Sequence, residues 1–453
     1  MSKLDLNKVL LFYCGITECG FGSLRGNEGT WINHGLCLIS AVLKKEGYNT
    51  ELVDLRRLQD WNDLERFVKE EKFDIAGFTV MSVDYNPVTK CIEIIKRLKP
   101  AAKVIVGGPH VSICPEELTS NKNIDYVFIG EAEKSIVPLI AKIRNNEVQD
   151  RVVYGERPNL DELPFADREL FSLPEEPFVP FLKGPFVTLI AGRGCVYNCN
   201  YCQPAERIIF GSGVRRRSVE NIISELEFMR NKQNFNSMMI HDDCLTEDKA
   251  WIMEFCSKYT KNGFNQPFVC QSRPDLIVKN IKMVKHLKKA GLAMFIVGFE
   301  SGSQRMLDFL QKGTTVRQNI QAAEICHRFK IKIWANYMLG LPGETKEEQR
   351  MTVDMIKKIR PYHCSPAYYT PHPGSKLFDY CQKNDLSLIK NHDDYRRSTY
   401  EPKIKGIDYD YLKGLLYESI SYGEDGRIKG TGRLLLNRIK SFLNLNKQPS
   451  GTK

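Results

Sequence analysis

Between residues 9 and 132 the chain repeats one pattern five times: a short, nearly continuous apolar run, then a stretch with helical spacing. The runs are "VLLFYCG" (9–15), "TELVDL" (50–55), "DIAGFTV" (74–80), "KVIVGGP" (103–109) and "YVFIGEA" (126–132). They are rich in Val, Ile and Phe, as parallel strands covered by helices on both faces should be. The first intervening stretch runs from Asn33, a residue suited to cap a helix, through Leu36, Ile39, Val42 and Leu43 to Gly47, suited to end one. Five such units predict a doubly wound, flavodoxin-like α/β sheet. Sheets of that kind bind ligands beyond their strand C-termini, where strand order reverses. "VGGPHVS" follows the fourth run and "IGEAEKS" the fifth, so both fall on that edge. Gly107 and Gly108 would let the backbone approach a bulky ligand, with His110 beside them. Tight turns alone would use the same glycines.

Pro158, Pro164, Pro174, Pro177, Pro180 and Pro185 then mark residues 150–185 as a linker without regular elements. A second rhythm follows. Its candidate strands are "FVTLIAG" (186–192), "SMMIHD" (237–242), "PFVCQS" (267–272), "AMFIVGF" (293–299), "KIWANYML" (332–339) and "PAYYTP" (366–371), and helical segments follow the first five. Six βα-type units predict a parallel barrel, complete or not, with its site at the strand C-termini.

Just after the first of these strands comes "RGCVYNCNYC", with Cys195, Cys199 and Cys202 in eight residues. The other eleven cysteines are scattered, most of them in apolar surroundings that suit buried thiols. A structural zinc site closes a tetrahedron with four ligands, often two Cys-x2-Cys pairs. No second pair exists here, and His241 and Cys244 do not supply one. Iron–sulfur cubanes take four thiolates, so three would leave one iron open to bind a substrate. The spacing favours that open cubane over zinc or chance clustering.

Cys195-x3-Cys199-x2-Cys202, with Tyr201 before the last cysteine, resembles the signature of the radical S-adenosylmethionine (SAM) superfamily. The resemblance implies that the three cysteines bind a 4Fe-4S cluster. It further implies that SAM chelates the fourth iron and is cleaved reductively to methionine and a 5′-deoxyadenosyl radical, with Tyr201 near the adenine. "VGFESGS" (297–303) resembles the fourth-strand segment of that family, where Glu300 or Ser301 would face SAM. "YMLGLPGET" (337–345) resembles its glycine-rich fifth-strand motif, with Gly340 and Gly343 against adenosine. "TPHPGS" (370–375) resembles the loop after the last strand. "QSRPDL" (271–276) would bring Ser272 or Arg273 to the SAM carboxylate, which a guanidinium fits geometrically. Where many relatives carry Gly-Gly-Glu, this chain has "HDDCLTED" (241–248), leaving Asp242 and Asp243 as candidates for the SAM amino group.

A sheet domain preceding such a barrel resembles the cobalamin-binding branch of the superfamily, over roughly residues 8–380. That likeness implies a cobalamin held near Gly107, Gly108, His110 and Glu131. The family's Asp-x-His-x-x-Gly axial motif is absent, with "DLRRLQ" near the second strand instead. The implied organisation is a Rossmann-like cobalamin-binding-type domain at 1–150 and a Pro-rich linker at 151–185. A partial (β/α)6 radical SAM core follows at 186–380, then a C-terminal helical segment with a basic tail at 381–453.

The net charge of +10 is uneven, since seven basic and no acidic residues lie between Gly426 and Lys453. The rest of the chain is close to neutral, which argues against a nucleic-acid surface. "GRLLLNRIKSFLNL" (432–445) reads as a basic amphipathic helix, able to pack on the barrel or to touch a membrane surface. The N-terminal apolar run is too short for a signal peptide or a span, and no later run reaches about 18 apolar residues, so a cytoplasmic protein is expected. The expected function is cobalamin-dependent methylation of an unactivated carbon of a small-molecule or lipid substrate, with flavodoxin or ferredoxin as electron donor. The alternatives are a non-methylating radical rearrangement, cyclisation or C–C coupling on a lipid or pigment, and a non-catalytic cobalamin or Fe-S sensor. The intact "GFES" and "LPGET" stretches count against the sensor.

Overall fold

The computed structural model describes residues 7–24, 31–147, 150–172, 175–202, 205–396 and 399–427. The expected amphipathic helix at 432–445 lies outside the described residues.

All five N-terminal runs form strands: β1 Lys8–Tyr13, β2 Asn49–Asp54, β3 Ile75–Thr79, β4 Lys103–Gly107 and β5 Tyr126–Ile129. A sixth, β6 Val152–Tyr154, extends the parallel sheet to the order β2-β1-β3-β4-β5-β6. It lies inside the stretch expected to lack regular elements. Val152 and Val153 are β-branched and precede the first proline, so three residues can pair with β5 before Pro158 intervenes. The runs look continuous because both sheet faces are covered. Leu10 and Phe12 of β1 join one core with Ala76, Val88 and Ile92. Val9 and Leu11 join another with Leu36, Ile75 and Ile140. The helix His34–Lys45 starts as expected, with the Asn33 side chain accepting a hydrogen bond from the Leu36 amide.

The second rhythm forms β7 Phe186–Leu189, then a short antiparallel pair, β8 Gly192–Arg193 with β9 Arg215–Arg216. β10 Ser237–Ile240, β11 Phe268–Ser272, β12 Leu292–Glu300, β13 Lys332–Leu339 and β14 His363–Tyr368 follow. The main strands make a six-stranded parallel sheet in the order β14-β13-β12-β11-β10-β7, with β14 and β7 at its two edges. A (β/α)6 sheet with two edges is a partial barrel. β14 begins three residues before the expected "PAYYTP", because an edge strand tolerates Pro366 within its run. Alternation along the strands divides their packing. Met238, Phe268, Phe295 and Ile333 meet the surrounding helices, whereas Met239, Val269 and Met294 meet Val179 and Leu182 from the linker.

Candidate functional site

The cysteine loop leaves β8 and passes over the C-terminal ends of the barrel strands. Gly194 can occupy its place only as glycine: its φ is +96°, and a Cβ there would overlap the Gly213 carbonyl oxygen. Asn200 fastens the loop to distant segments. Its amide N–H donates to Leu310 O at 3.1 Å, its side chain donates to Phe309 O at 2.5 Å, and its carbonyl accepts from the Leu377 amide at 2.9 Å. Cys195 and Cys199 are half-buried, Cys202 is exposed, and none of the three is in a disulfide. Burial pushes the Cys195 thiol up, so metal binding there must supply the charge that stabilises thiolate. Among the described residues one trio of His, Cys, Asp and Glu ligand atoms lies mutually within 4.8 Å, and the cysteine sulfurs do not form another. A single tetrahedral zinc would gather sulfurs to about 3.8 Å apart, given Zn–S bonds near 2.3 Å. The three thiols of this loop are not drawn together to that separation.

Around this loop the structure gathers several of the expected residues. The Tyr201 hydroxyl donates to Glu300 Oε1 at 2.9 Å. Lys312 Nζ, which sequence reading missed, lies 2.9 Å from the same oxygen and 3.1 Å from the Tyr201 hydroxyl. Glu300 ends β12 with φ +61°, beside a register shift between Gly298 and Glu300, a conformation rare for a side-chain-bearing residue. The Asn319 side chain steadies it by donating to Phe299 O at 3.1 Å. Arg273 stacks its guanidinium 3.5 Å from the Tyr197 ring centroid and donates towards Cys199 Sγ at 3.7 Å. Its other donors hold Asp275 Oδ1 at 3.0 Å and Lys312 O at 2.6 Å.

Other expected residues turn elsewhere. Ser301 is fully buried and meets Thr352 Oγ1 at 3.2 Å, so Glu300 is the member of that pair facing Tyr201. Ser272 pairs with Thr246 Oγ1 at 2.7 Å in a buried position. Asp242 accepts from the Ala191 amide at 2.7 Å and from Arg216 at 2.9 Å. Burial raises its pKa to about 6 despite the Arg216 partner. Both Asp242 oxygens are thus engaged, and Asp243 is the neighbour that lines the adjoining cavity. Gly340 and Gly343 have φ of +74° and +71°. Between them and the next helix, Glu344 Oε2 accepts from the Gly340 amide at 2.8 Å and the Leu341 amide at 3.1 Å. Burial lifts this carboxyl to about 8.

A cavity of about 420 Å³ runs from the N-terminal sheet to Gly192 and Arg193 at the start of the second domain's short antiparallel pair. Its floor is apolar, with Leu11, Ile39, Ile75, Ile105, Phe128 and Ile140. Gly107, Gly108 and Gly130 rim it on one side, and Arg193, His241 and Asp243 on the other. Interiors are normally close-packed, so a slot this large between a sheet and its helices is a ligand site. Two of the glycines along it have no room for a side chain. A Cβ on Gly77 would press on Leu11 at 3.0 Å, and one on Gly108 would press on Thr79 Oγ1 at 2.8 Å. An apolar slot opening onto the glycine edge of a doubly wound sheet is where the residues present would hold a cobalamin. His110 requires a correction: it does not line the cavity, but is fully buried between Ser82, Tyr85 and His392.

Glu131 also lines the cavity, and both its oxygens are held by arginines. One accepts from Arg193 and the other from Arg215, while Glu133 takes the second Arg193 nitrogen at 2.6 Å. The β5 turn is therefore bound directly to the residue two before Cys195. Arg168 and Arg217 make a similar pairing with Glu225. Burial alone would raise Glu225, but the two guanidinium groups outweigh it and hold the carboxyl at about 2. Arg193 opens the cysteine stretch, whereas Arg168, Arg215 and Arg217 stand in no motif, so sequence spacing offered no signal for their pairings.

Comparison with known proteins agrees with this geometry. The family model of the B12 binding domain matches residues 27–140, and that of the radical SAM superfamily matches residues 189–356. An uncharacterized methyltransferase of Pyrococcus horikoshii is 27% identical over 424 residues, covering 89% of this chain and 88% of that protein. The anaerobic magnesium-protoporphyrin IX monomethyl ester cyclase of Rubrivivax gelatinosus is 24% identical, covering 77% of this chain and 66% of its own. The cobalamin-dependent radical enzyme OxsB, solved with aqua-cobalamin and SAM bound, superposes with a TM-score of 0.63 at 20% identity. The match covers 84% of this chain, which spans 56% of that longer one. The cysteine triplet and the glycine-rimmed slot thus sit in two matched domains in the expected order. This chain belongs to the radical SAM superfamily, in the branch that joins a B12-binding domain to the radical SAM domain, and is an enzyme whose cofactors are a 4Fe-4S cluster, SAM and cobalamin.

Proposed function

We propose that this enzyme transfers a methyl group to an unactivated carbon of a small-molecule or lipid substrate. One observation carries the reading: a single cavity is lined by the glycine edge of the B12-binding domain and by Arg193, His241 and Asp243 of the radical SAM domain. A substrate there can meet groups held by either domain. When bound, the cluster and SAM supply hydrogen abstraction by a 5′-deoxyadenosyl radical, and cobalamin supplies a transferable methyl group.

In this reading the chain's own residues position and shield. Cys195, Cys199 and Cys202 hold three irons. Tyr201 is kept in orientation by Glu300 and Lys312, so its ring is a fixed wall for adenine. Arg273, which stacks on Tyr197 and reaches Cys199, presents positive charge where the SAM carboxylate would lie. Gly340 and Gly343 keep their turn low enough for adenosine to approach, and Glu344 braces that turn from beneath. Asp243 is the candidate for the SAM amino group, because the Asp242 oxygens are occupied. Gly107 and Gly108 admit cobalamin, and Glu131 with its arginines keeps the two domains in contact. A small acidic electron carrier such as flavodoxin or ferredoxin would reduce the cluster, and a cytoplasmic setting suits those partners. Peripheral membrane contact through the basic tail belongs to the lipid version of this reading, and co-sedimentation with anionic vesicles tests it.

A second reading, ring closure without methyl transfer, has the support of the 24% identity to a cyclase. Anaerobic reconstitution tests both, with metal analysis expected to find four irons and one cobalt per chain. With methyl-deuterated SAM and a set of lipid and pigment substrates, methylation carries deuterium into the product, whereas ring closure leaves the product unlabelled. Zinc in place of iron, or no 5′-deoxyadenosine under reduction, overturns both.

A further inference from the structure

Behind the glycine loop, two residues of neighbouring short helices and one from far along the chain converge on one point. His110 lies in the short helix Pro109–Ile113, Glu117 in the next, Pro115–Thr119, and His392 in the turn His392–Asp394 of the C-terminal segment. Glu117 Oε2 is 3.5 Å from His110 Nε2 and 2.8 Å from His392 Nε2, and all three ligand atoms lie within 4.8 Å of one another.

Two features separate this trio from an ordinary ion pair. His110 is fully buried, yet its Nε2 makes no hydrogen bond. Burying a polar nitrogen without a partner is costly, and native structures rarely leave one so. Its other nitrogen, Nδ1, is 3.1 Å from Ser82 Oγ. When Nδ1 carries the ring proton and donates it to Ser82 Oγ, Nε2 presents a lone pair towards the carboxylate and the second imidazole. Three electron-pair donors facing one another repel unless a proton or a metal cation stands between them, and one metal cation can satisfy all three at once. A hydrogen-bonded Nδ1 is also the arrangement that orients a metal-bound histidine. Tetrahedral zinc with bonds of about 2.0–2.1 Å places its donors roughly 3.3 Å apart, and the two separations here fall on either side of that. Aromatic rings wall the point off. His392 stacks on Tyr85 at 3.9 Å, and Tyr85 meets the His110 ring edge-on at 5.3 Å.

We propose that His110, Glu117 and His392 bind a divalent transition cation, of which zinc suits the ligand set best, separate from the cluster. Three protein ligands leave the fourth tetrahedral position to water, and the place of the trio makes the cation a link between two segments of the chain. It would fasten the C-terminal segment to the stretch beginning Gly107–Gly108–Pro109, which lines the cofactor cavity. Cys114 lies beside Glu117 but outside the mutual 4.8 Å sphere, so it is not one of the ligands.

The test uses the full chain carrying Cys195→Ser, Cys199→Ser and Cys202→Ser, so that zinc cannot lodge in the cluster site. After chelator treatment, zinc chloride and gel filtration, metal analysis should find one zinc per chain. X-ray absorption should show nitrogen and oxygen ligands without sulfur. Adding His392→Ala or Glu117→Gln should reduce zinc to background, while Cys114→Ser should not. The cluster-reconstituted wild-type chain, whose cysteines are occupied, should likewise hold one zinc beside its irons, so the result does not depend on the serine variant folding. No zinc in the reconstituted chain, zinc undiminished by His392→Ala and Glu117→Gln, or sulfur in its coordination sphere would overturn the proposal.

Discussion

Glu344→Gln should make the enzyme more stable at neutral pH, by an amount that grows as pH rises. Glu344 is almost fully buried, its Oε2 accepts two backbone amides, and its Oε1 has no partner. Burial shifts the carboxyl from 4.5 to about 8 in the folded chain. Between those values the folded protein keeps a proton that the unfolded chain releases, so rising pH favours unfolding. The stabilising contribution is complete below pH 4.5 and lost as pH rises through about 8. Its slope is about 1.4 kcal/mol per pH unit, or about 3 kcal/mol by pH 7. Glutamine keeps the carbonyl that accepts both amides and does not titrate. Unfolding entropy near 2.1 cal/mol/K per residue makes each kcal/mol worth about 1 °C for a chain of this size. Anaerobic melting of both proteins should therefore show the variant about 1 °C higher at pH 5.5, about 3 °C at pH 7 and about 5 °C at pH 8.5. Other buried acids, such as Asp242 at about 6, titrate in both proteins and cancel in the difference. Melting curves that stay parallel from pH 5.5 to 8.5 would refute the argument.

Three further substitutions probe the site. Gly194→Ala should abolish iron retention after anaerobic reconstitution while circular dichroism stays native, because its Cβ would overlap the Gly213 carbonyl oxygen and displace the cysteine loop; full iron content would show that the loop can adjust. Lys312→Met leaves the Glu300 carboxylate, 7% exposed, without its ammonium partner, and should cost about 3 kcal/mol of stability. Equilibrium titration should find SAM bound roughly tenfold more weakly, the equivalent of about 1.4 kcal/mol, with iron content unchanged; equal affinity would detach this network from the SAM site. Glu131→Ala removes the acceptor shared by Arg193 and Arg215 and should destabilise by about 3–5 kcal/mol, read as faster limited proteolysis within residues 150–185.

Much of this protein is determined by its sequence alone, and the reason is local. Strand and helix periodicity, the Asn33 cap and the Cys195-Cys199-Cys202 spacing are all properties of a few adjacent residues. Physical chemistry acts on them before any long-range contact forms, so both parallel sheets and the place of the cysteine loop could be read directly. β6 escaped notice because the prolines that follow it suggested a linker, although Val152–Tyr154 has strand composition of its own. The remaining features depend on which distant residues the fold brings within reach. Lys312 meets Tyr201 and Glu300 across 111 and 12 positions, Arg193 meets Glu131 across 62, and His392 reaches Glu117 from the far end of the chain. The direction in which a buried side chain points is likewise a tertiary property. His110 stands three residues past Gly107, in a stretch that suggested cobalamin, yet packing turns its ring behind the loop. Charge and hydrogen-bond partners were decided there by burial, because a low-dielectric interior makes each unpaired polar atom costly enough to choose its neighbour.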